Sequence, residues 1–206
     1  FHLYDEAGIR ANARAVGEFS CDSEIFNKTY RMIRATQQSN MVSILTDCPT
    51  RERHGWTGDA QIFFETAGYL FDFAAFSRKY LQDVYDWQKT DGRLPHIAPD
   101  GGADFYMWPM NGSVGWSDIG VLYPLKYQKL YDDESLMRTY YPRMVKYARF
   151  MIRRCGKRMP IFAEKIRLSK ENRKYFVNLG QSYGEWSEPA DVCVFRWTDF
   201  CAPHPE

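Results

Sequence analysis

Apolar positions along this chain recur mostly at helical spacing. In residues 24–38, Ile25, Phe26, Thr29, Ile33 and Thr36 fall on one face of a helix. Asp22 and Ser23 precede that helix as candidate caps, and Ser39 and Asn40 end it. Met41 to Leu45 then carries the chain onward. A longer stripe follows: Ile62, Phe63, Ala67, Leu70, Phe71, Ala74, Ala75 and Tyr80, continued by Leu81, Val84, Tyr85 and Trp87. Gly68 within it predicts a break or a close approach, and so two helices rather than one. Thr57 is the candidate N-cap of the first. A further helix is expected over about residues 116–130. Another starts at Asp132-Asp133-Glu134, charges of the sign a helix N-terminus favours. It carries Leu136, Tyr140, Met144, Tyr147 and Met151 as far as Arg154, and Gly156 closes it. Residues 1–20 read as a lead-in from a preceding region, with at most a short strand over residues 1–4. Residues 157–180 are basic and irregular, and residues 188–200 predict a last short helix. Strand signal is scarce, so the pattern predicts an all-α array of helical hairpins.

Two stretches break the periodicity. Residues 47–59 pack three carboxylates, two arginines, a histidine and a tryptophan between helices. Pro49 and Gly55 shape them as a loop. Residues 90–115 hold eight glycines and prolines together with His96, Asp100, Asp104, Tyr106 and Trp108. A loop of that length and chemistry is expected to face a ligand.

Composition narrows the classes. The 206 residues suit one domain or a piece of a larger one. With 27 basic against 26 acidic side chains, there is no electrostatic footprint for nucleic acid or an anionic membrane. The most apolar stretch, residues 62–76, is interrupted by Glu65 and Asp72 and does not read as a membrane span. With Asp5, Glu6 and Arg10 in the first ten residues, no leader is expected there. The chain opens on Phe1, which points to a cut or processed start. Cys21, Cys48, Cys155, Cys193 and Cys201 are irregularly spaced, odd in number and without a Cys-x-x-Cys pair. That argues against a disulfide framework and a structural zinc site. No cofactor or metal is implied. Cys48 beside His54 admits a thiol nucleophile and base, but a small apolar residue under the loop is the better reading.

Residues 47–59 also closely resemble the signature of the bacterial α-L-rhamnosidases, the family 78 glycoside hydrolases. That pattern runs approximately Asp-Cys-Pro-x-Arg-(Asp)-Glu-Arg-x-Gly-Trp-x-Gly-Asp. Here it is matched by Asp47, Cys48, Pro49, Arg51, Glu52, Arg53, Gly55, Trp56, Gly58 and Asp59, in the form without the extra acidic residue. The resemblance covers about residues 10–190. It implies an (α/α)6 toroid, in which helical hairpins ring a funnel and loops at one end form the active site. Residues 21–206 would be roughly its first half. It implies an inverting enzyme that removes terminal α-L-rhamnose from rhamnosides or polysaccharides. Glu52 matches the general acid, and Asp47, Arg51, Trp56 and Asp59 match residues that bind the sugar ring. The run Val114-Gly115-Trp116-Ser117-Asp118 resembles a Gly-Trp-Gly-Asp element of the family. It implies a stacking wall at Trp116 and a hydroxyl acceptor at Asp118. Gly184-Glu185-Trp186 resembles a Gly-Asp-Trp element, with Glu in place of Asp, and nominates Trp186. For both tryptophans, a packed core position is the alternative. His54 and His96 are expected to be loop hydrogen-bonders.

Inverting hydrolysis needs a second carboxylate, which activates water from the opposite face. Residues 157–206 offer no match for it. The chain is therefore expected to be a fragment whose partners are a rhamnosyl carbohydrate and the remainder of the catalytic domain, with neither nucleic acid nor membrane. Within the loop, the charges of Asp47 and Asp59, with Trp56 as a cover, are expected to raise the Glu52 pKa. Arg51 and Arg53 oppose this, and the helix start is expected to keep Asp59 ionised. Other readings remain open: an ion-paired surface loop, a toroid acting on another sugar, a non-catalytic carbohydrate-binding remnant, or a scaffold with exposed apolar faces.

Overall fold

Helix α1, Glu24–Asn40, leaves Ser23 with extended backbone but draws no hydrogen bond from that side chain. Its start is tied down from one turn inside instead. Asn27 Oδ1 accepts the Cys21 N–H at 3.0 Å, and Asn27 Nδ2 donates to the Cys21 carbonyl at 2.7 Å. The computed structural model describes residues 14–102, 111–156, 171–175 and 177, and all that follows concerns those. The expected strand at residues 1–4, the helix at residues 188–200 and Trp186 lie outside them.

Helix α1 runs directly into a hairpin that periodicity had left as a plain connection. Strand β1, Met41–Val42, pairs antiparallel with β2, Ile44–Leu45. Ser43 turns between them at a φ of 66°, in the left-handed region. Two-residue strands carry too little pattern to be seen in a sequence. Asn40 locks this exit: its carbonyl accepts the Thr46 N–H at 2.9 Å, and its side-chain oxygen accepts the Thr46 hydroxyl at 3.0 Å.

Helices α2, Thr57–Leu70, and α3, Ala74–Asp86, divide the long stripe as expected, but at residues 71–73 rather than at Gly68. Gly68 stays helical and gives the close approach: a Cβ there would lie 2.3 Å from the Leu130 side chain. Helix α4, Ile119–Tyr131, packs on α2, α3 and α5, the last being Ser135–Arg154. Both α4 and α5 begin three residues later than periodicity suggests. Asp118 precedes the first, and Asp133 accepts the Ser135 N–H at 2.8 Å ahead of the second. A short 3-10 turn, Asn172–Tyr175, follows.

The core between α2, α3 and α4 is aromatic. Phe64 meets Tyr123 edge-on at 4.5 Å between ring centres and lies 5.9 Å from Phe73. Such rings bury large areas, but each buried phenol must find a partner. Tyr80 donates to the Gly55 carbonyl at 2.9 Å, Tyr85 to the Gly120 carbonyl at 2.5 Å, and Tyr123 to Ser77 at 3.3 Å. Burial raises the pKa of all three phenols, so they remain donors. The Tyr80 bond matters most for function, because it fixes the core to the loop of residues 47–56. Helix α1 differs: Gln37 is its only buried residue, and Ile25, Phe26 and Met32 are exposed.

Phe64 is fully buried at the centre of this cluster. Phe64→Ala should cost about 3–5 kcal/mol through lost transfer energy and the cavity left behind. A urea titration checks this, and a loss under about 1 kcal/mol would mean that the cluster collapses around the gap.

Candidate active site

The loop before α2 is closed by one backbone pair and one carboxylate. Asp47 donates its N–H to the His54 carbonyl at 3.0 Å, and Asp47 Oδ1 accepts the His54 N–H at 3.0 Å. Inside this ring Arg53 takes a left-handed φ of 56°. Cys48 Sγ accepts the Glu52 N–H at 3.1 Å. The Glu52 side chain is exposed, and its Oε2 accepts the Trp56 indole N–H at 2.8 Å. That leaves Oε1 as the oxygen free to carry a proton. Trp56 was expected to cover this carboxylate; it holds it by the indole edge instead. Arg51 is exposed.

The other end of the loop is bolted to the segment that follows α3. Ala98 donates its N–H to the Gly55 carbonyl at 3.0 Å, and Thr57 donates its N–H to the His96 carbonyl at 2.8 Å. A Cβ on Gly55 would fall 2.3 Å from the Ala98 carbonyl oxygen, so only glycine allows this approach. Thr57 is not the N-cap. It is the first residue of α2, and its hydroxyl donates to the His96 carbonyl at 3.0 Å. The preceding position belongs to Trp56. His96 is buried, with its Nε2 at 2.6 Å from the Ser113 hydroxyl and its N–H donated to Asn111 at 3.0 Å. Burial drops its pKa to about 3, so the imidazole is neutral. It is the loop hydrogen-bonder expected of it. The described parts of the long loop thus support the site from below; residues 103–110 lie outside the described ones.

Trp116 comes to the same place from the turn before α4. Its indole lies over Gly58, where a Cβ would meet the ring at 2.8 Å. Asp47, Asp59, Gly58 and Trp116 line a pocket of about 430 Å³, with the last turn of α1 and the first turns of α2 completing it. Gln37 and Asn40 belong to that lining, and the sequence offered no sign of them. Helical periodicity does not say which end of α1 meets the loop.

Asp118 stands apart from this group. Its Oδ2 accepts the Gly115 N–H at 2.8 Å, and its Oδ1 accepts the Tyr147 hydroxyl at 2.7 Å. The carboxylate expected to receive a sugar hydroxyl also clamps the Trp116 turn to α5.

Asp59 is pulled in two directions by its surroundings. Burial raises its pKa above the ordinary aspartate value, and the charges of Asp47 and Glu52 push the same way. Its own backbone N–H lowers it, but by less than burial raises it. A helix start was expected to keep this carboxyl ionised. The apolar pocket and two neighbouring carboxylates outweigh that pull. Among the described residues, no group of three histidine, cysteine or acidic side chains is placed to hold a metal ion.

The model of the bacterial alpha-L-rhamnosidase 6 hairpin glycosidase domain matches residues 14–191. The chain belongs to this family. An alpha-L-rhamnosidase from Streptomyces avermitilis is 35% identical over 135 residues, which are 65% of this chain and 13% of that protein. Among solved structures, the alpha-L-rhamnosidase from Dictyoglumus thermophilum superposes with a TM-score of 0.64 at 34% identity, over 70% of this chain and 16% of the other. A Streptomyces avermitilis alpha-L-rhamnosidase complexed with L-rhamnose gives 0.64 at 32%, over 70% and 14%. The chain thus spans about a seventh of the length of the relatives it matches. The expected all-α fold, as part of a six-hairpin toroid, is borne out.

Two predictions follow from how this six-hairpin segment holds its carboxylates. Asp118→Ala removes the acceptor of a buried phenol and of a backbone N–H, and should cost about 2–4 kcal/mol in urea unfolding. An unchanged midpoint would mean that the Trp116 turn does not need its clamp. Folded Asp59 binds its proton more readily than an unfolded aspartate does. Its contribution to stability is therefore full below the ordinary aspartate range and lost as pH rises through the raised value. Asp59→Asn should raise the melting temperature at neutral pH, with the difference closing below about pH 3. A difference that stays constant with pH would refute the assignment.

Proposed function

We propose that this segment supplies the general-acid side of an α-L-rhamnosidase active site, with Glu52 as the acid. The observation that carries this is the placement of Glu52. Its carboxylate is fixed through one oxygen by Trp56, in the loop that sets Asp47 into the pocket under Trp116 and leads into the first turn of α2, which carries Asp59. Rotationally fixed, with the other oxygen open, it can donate a proton to a glycosidic oxygen as the bond to the sugar breaks. Asp47 and Asp59 accept hydrogen bonds from the sugar hydroxyls, and Trp116 offers an apolar face to the ring. Arg51 reaches a hydroxyl from the exposed side, and Trp186, outside the described residues, is assigned to the same sugar-binding set. Inversion calls for a second carboxylate to activate water; in this reading it comes from outside this chain. The relative solved with L-rhamnose supports a rhamnosyl glycoside as the substrate. Gly58, having no Cβ, lets the Trp116 indole stand close against α2.

The test is release of nitrophenol from a panel of aryl glycosides by the full natural protein that carries this segment, beside its Glu52→Gln variant. Hydrolysis of the α-L-rhamnoside should dominate, and the variant should fall by about 10²–10⁴-fold. Cleavage of a different sugar would overturn the substrate. No turnover alongside retained binding of L-rhamnose would make this a carbohydrate-binding module.

A further inference from the structure

We propose that Cys48 is a positioning residue for the proton-donating glutamate, holding the Glu52 backbone so that its carboxyl presents one oxygen to the leaving group. The inference rests on the assignment of Glu52 as the acid. Neither reading of Cys48 suggested by the sequence, nucleophile or apolar filler, uses its sulfur as a hydrogen-bond acceptor. The structure does: the half-buried thiol takes the Glu52 N–H at 3.1 Å. The hold is needed because Glu52 has little else. Its residue is exposed, its neighbours Arg51 and Arg53 are exposed, and among the described residues its side chain is anchored at the far end alone, by Trp56. A glutamate fixed at the carboxylate alone can still swing at its backbone. Fixed at both ends, it keeps Oε1 in one place. The outer frame is already rigid, through the Asp47–His54 pair and the bonds from Gly55 and Thr57 to residues 96–98. Cys48 carries that rigidity inward to the one residue whose position decides proton transfer. Sulfur is a weak acceptor, so its service here is geometric rather than a large contribution to stability.

A displaced acid has a signature that general damage to the fold does not share. Proton donation matters in proportion to how poor the leaving group is. A dinitrophenolate departs without help, whereas an alcohol or simple phenol does not. Removing the Cys48 acceptor should therefore slow hydrolysis of poor leaving groups and spare good ones. The experiment compares the full natural protein with Cys48→Ala, Cys48→Ser and Glu52→Gln. The substrates are the phenyl and 2,4-dinitrophenyl α-L-rhamnosides, and kcat and KM are measured separately. Cys48→Ala should lose about 10-fold in kcat on the phenyl substrate, in line with the sensitivity of catalysis to small displacements. On the dinitrophenyl substrate it should stay within about 2-fold, with KM little changed on both. Cys48→Ser, whose hydroxyl can accept the same N–H, should recover most of the loss. Equal losses on both substrates, no loss on either, or no recovery with serine would overturn the proposal. If Cys48→Ala does not fold, as judged by near-UV circular dichroism, the serine variant decides alone. A small deficit confined to the phenyl substrate upholds the proposal, and a uniform deficit or none overturns it. Glu52→Gln keeps the two ideas distinct. If it hydrolyses both substrates normally, Glu52 is not the acid. If it shows the leaving-group dependence while Cys48→Ala does not, only the role of Cys48 falls.

Discussion

The site depends on a short backbone pairing between the loop ahead of α2 and the segment after α3. Gly55 and Thr57 on one side and His96 and Ala98 on the other exchange hydrogen bonds of 2.8 and 3.0 Å. Buried peptide groups must be paired, and here they pair across a sequence gap of about forty residues. The contact requires glycine at position 55, because the opposing carbonyl occupies the space a side chain would need. Beneath it, burial keeps a histidine neutral. His96 is held by Ser113 and Asn111 and bonds the Thr57 N–H through its main-chain carbonyl.

From that seam the rest follows outward. The Tyr80 hydroxyl reaches Gly55 from the α3 core, so the aromatic cluster and the loop share one fixed point. Ser117 donates to the Leu94 carbonyl at 2.7 Å and accepts the Gly112 N–H at 2.9 Å, which closes the turn that carries Trp116. Asp118 then ties the same turn to α5 through Tyr147. Each support is a satisfied polar group inside an otherwise apolar packing. Removing one partner would leave the other buried and unpaired, which is more costly than never having had the bond. The side chains facing the pocket are thus set by elements that do not themselves touch it.

This layout places three carboxylates within reach of one another, and their environments separate them. Asp47 holds the His54 N–H, Glu52 is exposed and held by an indole, and Asp59 sits where desolvation and the charges of its two neighbours raise its pKa above the ordinary aspartate value. A helix start acts on Asp59 through one N–H, while desolvation acts on the whole carboxyl.

The helices, their approximate ends and the loop rich in carboxylates were all legible in the amino-acid sequence, because periodicity and turn residues are local properties. So was the membership of the family, because ten matched positions in thirteen are not a matter of packing. The two-residue hairpin after α1 was not legible, nor was the break at residues 71–73 rather than at Gly68. A two-residue strand has no period to read, and Gly68 turned out to serve contact with Leu130. Other facts belonged to the tertiary structure alone: that Asp118 is a clamp, that Thr57 bonds to His96 instead of capping α2, that Gln37 reaches the pocket, and that Trp116 rests on Gly58. All four depend on which distant segments come together. A side chain's residue type sets what it can bond to, but only the fold determines which partner arrives.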